Sequence, residues 1–230
     1  MVKESVRQHF DREAAEFDGL IARLIPRYSE MIDALVSAVP FPPHRKLRVV
    51  DLGSGTGTVA LQIKSRFPRA RITCIDFSPK MLDLARRRLA DCGSMRFIEA
   101  DLTDYRFVDQ YDVAVSSLAL HHIQSVRQKL NLYRRLHDAL ARGGVFWNAD
   151  AVLAASAPLQ ALYMAKWKEH MRRTVPEKEI EETWMVKHAA EDHPKKLLDE
   201  LRWLREAGFA EPEVIWKEFY FAVFGGRKIL

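Results

Sequence analysis

Four short segments carry residues that could do chemistry, and each follows an apolar run that reads as a strand. The first is Asp51-Leu52-Gly53-Ser54-Gly55-Thr56-Gly57. Its glycines let a ligand approach the backbone and allow unusual torsions. The helix expected after it offers unpaired N–H groups at its start. Thr58 stands where a dinucleotide-binding loop would have its last glycine, so that fingerprint is broken. Asp51 can accept from a ligand ammonium or organise the loop. The second is Asp76, closing Cys74-Ile75-Asp76-Phe77-Ser78. An acid there suits ribose hydroxyls, and the competing role is a helix cap before Pro79. The third, Ala100-Asp101-Leu102, offers a carboxylate beside an apolar side chain, a combination that fits an adenine. The fourth, residues 116–123, is small and apolar until the pair His121-His122.

Histidine suits proton transfer near neutral pH, so His121 and His122 are candidate bases. Being adjacent, at most one should face a ligand, and the competing role is a surface or capping histidine that opens the following helix. Tyr28, His170 and Glu181 are further candidates. No metal site is expected, because the histidine pair has no partner at ligand spacing and neither HExxH nor CxxC occurs.

The elements that must position these residues alternate. Strands are expected at 47–52, 70–75, 95–99, 111–116 and 143–150, and helices at 59–67, 79–90 and 125–140. That rhythm predicts a parallel sheet with helices on both faces, whose ligands bind at the carboxyl ends of the strands. Residues 3–38 have helical spacing, broken at Pro26. Residues 155–193 are helical and rich in Tyr163, Trp167 and Trp184, which read first as packing and second as a substrate pocket. A helix over 194–207 ends at Gly208, and strands at 212–218 and 219–224 should pair antiparallel. The expected division is an N-terminal helical cap (1–44), a ligand-binding core (45–150), a helical lid insert (151–193) and a closing helix with two strands (194–230).

The chain has 230 residues, 48% hydrophobic and 29% charged, with a net charge of +5. That is ordinary globular composition, and it excludes a disordered chain or a disulfide scaffold. No apolar run approaches a membrane span, and the charged N-terminus does not read as a secretory leader. Two cysteines without a CxxC fit a reducing, cytoplasmic setting. The basic balance leaves nucleic acid as a less favoured partner than a small molecule. The N-terminal helices offer a surface for a homodimer.

Taken together, the glycine loop, Ile75-Asp76-Phe77-Ser78-Pro79-Lys80-Met81-Leu82, Ala100-Asp101-Leu102, Ala119-Leu120-His121-His122-Ile123 and Gly143-Gly144 resemble the successive motifs of class I S-adenosylmethionine-dependent methyltransferases. The resemblance implies a Rossmann-like, seven-stranded, mostly parallel sheet. It implies that Asp51, Gly53, Ser54, Gly55 and Gly57 hold the methionine moiety of S-adenosyl-L-methionine. Asp76 would bind the ribose, and Phe77, Met81, Asp101 and Leu102 the adenine. Ser117 and Leu118 would line the methionine side. Ile25-Pro26-Arg27-Tyr28-Ser29 and Leu204-Arg205-Glu206-Ala207-Gly208-Phe209 are similar to the branch containing carboxy-S-adenosylmethionine synthase, a tRNA-modification enzyme, and imply that Tyr28 reaches the cofactor. That branch holds the cofactor's extra carboxylate with an arginine four residues before Ala-Gly-Phe. Here Trp203 has that place and Arg202 lies one step off, which turns a helical side chain by roughly 100°. The expected activity is therefore methyl transfer to a small molecule. The alternatives are a tRNA-modifying or carboxy-cofactor-forming enzyme, and a non-catalytic cofactor-binding regulator.

Overall fold

A computed structural model describes residues 17–229, with side chains from Gly19 onward. The part of the expected N-terminal helix before residue 17 lies outside these. Strand β1 (Arg48–Leu52) is buried from Val49 on, as a central strand must be. Its start is fixed by Asp112, whose carboxylate accepts from the Arg48 backbone N–H (2.9 Å) and guanidinium (3.1 and 3.2 Å).

β2 (Arg71–Asp76), β3 (Met95–Glu99), β4 (Tyr111–Ser117) and β5 (Leu140–Leu153) join β1 in parallel. The two-residue β6 (Lys195–Lys196) pairs with the end of β5. β8 (Phe221–Arg227) runs antiparallel to β5, and β7 (Ala210–Glu218) antiparallel to β8. The spatial order is β3-β2-β1-β4-β5-β8-β7. It reverses direction of travel between β1 and β4, which is where an open α/β sheet leaves a crevice. The expected seven-stranded, mostly parallel sheet is what forms, with β6 added beside the carboxyl end of β5.

Helices α1 (Phe17–Leu24) and α2 (Tyr28–Ser37) flank the break at Pro26, and Arg27 enters α2 in the left-handed region at φ 51°. α3 (Thr58–Arg66), α4 (Pro79–Arg88) and α5 (Val126–Ala139) are the crossovers. One face of the sheet packs Met31 and Leu35 of α2 with Ile63 and Phe67. The other packs Leu132 and Leu136 of α5 with Leu204 and Phe209.

Between β5 and β6 lie α6 (Ala157–Met171), a turn at Glu177–Glu179, a π-helical turn at Ile180–Trp184 and α7 (Met185–Glu191). α8 (Leu197–Glu206) follows. It starts three residues later than the sequence predicts, because Lys195 and Lys196 are drawn into pairing with β5. Trp167 packs: its Nε1 donates to Leu24 O (2.8 Å), and its ring stacks on Tyr220 at 12°. Among the described residues no helix is long and apolar enough to cross a membrane.

Candidate active site

The four segments meet at the carboxyl ends of β1, β2, β3 and β4, around one cleft of about 1340 Å³ including its open mouth. The glycine loop is tied down from behind. Gly53 and Ser54 N–H both donate to Ile75 O (2.8 and 3.0 Å), and Arg88 donates to the hydroxyls of Thr56 and Thr58 (2.9 and 2.7 Å). Gly53 sits at φ +65°, and a Cβ there would stand 2.3 Å from Ala119 Cβ. Gly53→Ala therefore meets a steric wall and a strained torsion together, for a cost of about 1–3 kcal/mol or more. The expected result is a lower melting temperature with cofactor affinity largely lost. Wild-type affinity would show that the loop can retreat from Ala119.

Gly55 has open space at its Cβ position and lines the cleft with Ser54. Gly57 does not line it. It precedes α3 at φ +83°, and its Cβ position is 2.9 Å from Leu89 Cδ1 and 3.3 Å from Ala85 Cβ. What the structure shows of that glycine is close packing of the loop on α4.

Asp51 is buried at the base of the loop, and neither carboxylate oxygen has a hydrogen-bond partner of normal geometry. Burial, and then the nearby Asp76 charge, push its pKa up to about 7, against a smaller pull from the Ala60 N–H. Ser54 Oγ and Ser117 Oγ are also buried and unpaired. Buried polar atoms without partners mark a place where a polar ligand belongs. A carboxylate with two orphaned oxygens fits a ligand ammonium.

Asp76 accepts from Gly55 N–H (2.8 Å) with one oxygen and from Ser78 N–H (2.9 Å) with the other, while facing the cleft. The cap of α4 is Ser78, whose Oγ accepts from Met81 N–H (3.1 Å), so the capping role is filled by another residue. Phe77, Met81 and Leu102 give the cleft an apolar wall, with Asp101 beside them. Asp101 also accepts from the Thr103 N–H (2.8 Å) and hydroxyl (2.7 Å), and Arg135 holds this turn through Leu102 O and Thr103 O.

Ser117 and Leu118 end β4. Leu118 is held at φ 51° while its N–H donates to Ala149 O (2.9 Å). A bulky residue in that region is unusual, and here it turns the chain between the two cavities described next. Tyr28 enters from α2 and faces Ser117 and Asp51. Burial pushes its phenol up to about 12, so it stays protonated and is a donor, not a base.

The histidines separate. His122 lines the cleft. His121 does not, and its expected role as a base is corrected. Its Nδ1 lies 2.5 Å from Asp150 Oδ1 and its Nε2 3.4 Å from Asp192 Oδ1. Burial opposes charge on His121, but Asp150 and then Asp192 outweigh it and raise its pKa to about 10. A ring that keeps its proton cannot take another. His122 is the reverse: burial and the His121 charge lower it to about 4, and its Nδ1 donates to Glu191 O (3.1 Å).

A second cavity adjoins the first. Leu118 and His122 line both, and Ile21, Leu24, Trp167, Trp184, His188 and Phe221 line the second. His170 lines a separate cleft and Glu181 pairs with Lys168 (2.6 Å), so neither is brought to the histidines. Arg202 is exposed beside Asp199 (2.9 Å), while Trp203 is buried under the sheet. Asp150, Asp192, Gln128 and His193 were missed from sequence. Asp150 had a signal, as the acid inside the fifth strand. Asp192 had none, because it comes from the far end of the insert.

Residues 49–144 match the family described as a methyltransferase domain. A carboxy-S-adenosyl-L-methionine synthase from Wolinella succinogenes is 26% identical, over 98% of this chain and 96% of that protein. A malonyl-[acyl-carrier protein] O-methyltransferase from Ilyobacter polytropus is 27% identical, over 62% of this chain and 50% of that protein. The solved DhpI–SAH complex shares the fold at a TM-score of 0.68 and 18% identity, covering 98% of this chain and 96% of that one. These matches support an S-adenosylmethionine-dependent methyltransferase resembling class I, with S-adenosyl-L-methionine as its cofactor. Within that class it resembles the carboxy-S-adenosyl-L-methionine synthase branch along nearly its whole length.

Proposed function

We propose that this enzyme transfers a methyl group to a small-molecule acceptor held in the second cavity, in a cytoplasmic setting. The observation that carries the reading is the junction: Leu118 and His122 belong to both cavities, so a ligand in one meets a ligand in the other there. When bound, the cofactor supplies an electrophilic methyl on a sulfonium.

The chain's own residues position the partners. Asp51 takes the ammonium and leaves Tyr28 to donate at the same end. Asp76 takes ribose hydroxyls. Asp101 accepts from the adenine amine, and Phe77, Met81 and Leu102 pack the ring. Trp167, Trp184 and Phe221 favour a flat, apolar acceptor. Positioning of this kind supplies several kcal/mol of rate enhancement without a strong acid or base.

Among the described residues no arginine or lysine lines the first cleft, which supports the uncharged methyl over a carboxylated one. The second reading, a carboxy-cofactor-forming enzyme, is favoured by the full-length likeness to the Wolinella protein. Incubation with S-adenosyl-L-methionine and a metabolite panel, read by mass spectrometry, separates them. A methylated metabolite with S-adenosylhomocysteine supports the first. A carboxylated cofactor, or no methyl transfer to any acceptor, sinks it.

A further inference from the structure

We propose that His121, His122 and Asp192 form a binding site for a divalent transition-metal ion, where the cofactor cleft opens into the second cavity. The three come from two distant parts of the chain. The histidines follow β4, and Asp192 follows α7 at the end of the insert. The insert is fastened there by its backbone, since His193 N–H donates to His121 O (2.9 Å).

The spacing is that of ligands. One oxygen of Asp192 stands 3.4 Å from His121 Nε2 and 3.4 Å from His122 Nδ1. Charge-assisted hydrogen bonds close to about 2.7–2.9 Å. Two ligands bound at about 2.1 Å to one tetrahedral ion stand about 3.4 Å apart. One potential ligand atom from each of the three residues lies within 4.8 Å of the other two, so small ring movements bring all three onto one ion.

The surroundings orient these groups as metal sites require. Asp150 accepts from His121 Nδ1–H, which aims Nε2 at Asp192, and an ion bound there takes the place of the Nε2 proton, which is released to solvent. His188 Nδ1 lies 2.8 Å from the other Asp192 oxygen and fixes that carboxylate. A carboxylate behind a ligating imidazole is a common orienting partner. Coordination by His122 Nδ1 exchanges its hydrogen bond to Glu191 O for the metal bond. Two imidazoles and one carboxylate select zinc, manganese, iron(II) or cobalt(II) over calcium or magnesium.

All three ligands line the second cavity, so the ion's remaining positions open toward it. There it would draw in an acceptor oxygen and lower its pKa, so that its proton passes to solvent water before the methyl is transferred. That last role rests on the proposed acceptor site, whereas the binding does not.

The test uses the full chain, stripped with a chelator and titrated calorimetrically with Zn²⁺, in parallel with Co²⁺ followed by visible absorption. One equivalent is expected, with nitrogen-ligated cobalt bands that Zn²⁺ displaces. Asp192→Asn should weaken Zn²⁺ binding by about 100-fold or more, and His188→Asn, acting from behind the carboxylate, by about 10-fold. Zinc bound equally well by wild type and Asp192→Asn would place it on other histidines and overturn the site. Should Asp192→Asn fail to fold, wild-type cobalt without displaceable ligand-field bands overturns it instead. Metal binding without methyl transfer would sink the acceptor reading and leave the site standing.

Discussion

Asp51→Asn is expected to stabilise the ligand-free protein while removing most of its cofactor affinity. The carboxyl is buried with both oxygens unpartnered, and its pKa stands at about 7 against an ordinary 3.8. A carboxyl whose folded pKa is raised opposes folding when ionised. The penalty is absent below about pH 3.8, grows as pH rises, and is complete above about 7. At about 1.4 kcal/mol per pH unit it amounts to at most about 4 kcal/mol. The amide removes that penalty, so the gain in melting temperature should be largest at pH 8 and vanish near pH 4.

The same substitution leaves a ligand ammonium without its counter-charge, which costs about 2–4 kcal/mol, or 30- to 1000-fold in affinity. Ammonium binding also requires Asp51 ionised. Wild-type affinity for S-adenosyl-L-methionine should therefore fall about tenfold per pH unit below 7 and level off above 8, so far as Asp51 is concerned. Calorimetry at pH 6 in two buffers of different ionisation heat should report close to one proton released. Affinity that is flat from pH 5.5 to 8 and unchanged in Asp51→Asn would remove Asp51 from the binding site.

Asp51, Asp76 and Asp101 were readable because each is an acid placed just where an apolar strand stops, and that pattern is local. The packing role of Gly57 was not legible, because a glycine's type says that space is tight but not which neighbour makes it so. The crowding atoms are Leu89 and Ala85, on the next helix. That β1 to β5 form one parallel sheet followed from alternation. The start of α8 did not, since Lys195 has a helical neighbourhood in sequence and a strand partner, Val152, in space. The histidine pair was visible, yet its division into a charged and a neutral ring was not. That division depends on Asp150 and Asp192, neither near in sequence.

Lys129→Met is expected to destabilise the fold by about 3–5 kcal/mol, and Lys129→Met combined with Glu200→Gln by much less. Lys129 on α5 is 1% exposed, and its Nζ lies 2.6 Å from Glu200 Oε1 on α8. The Tyr133 hydroxyl donates to the other Glu200 oxygen (2.6 Å). Removing the lysine alone leaves a buried carboxylate with one neutral donor, and breaking a buried pair from one side carries that cost. The glutamine restores a neutral acceptor for Tyr133 and removes the stranded charge. The pair also bears on the site. It clamps α8 against α5 directly after β6 docks on β5, and Asp192 and His193, three and two residues before β6, meet the histidine pair. Loosening the clamp should therefore speed hydrogen exchange at the amides of His193 and Lys195 before it reaches β1. Denaturant unfolding of the single and double variants measures the energies. Equal stability of the two would mean that water reaches Glu200 once the lysine is gone. Unchanged exchange at His193 in Lys129→Met would mean that the insert is held on the strand tips by the histidine contacts alone.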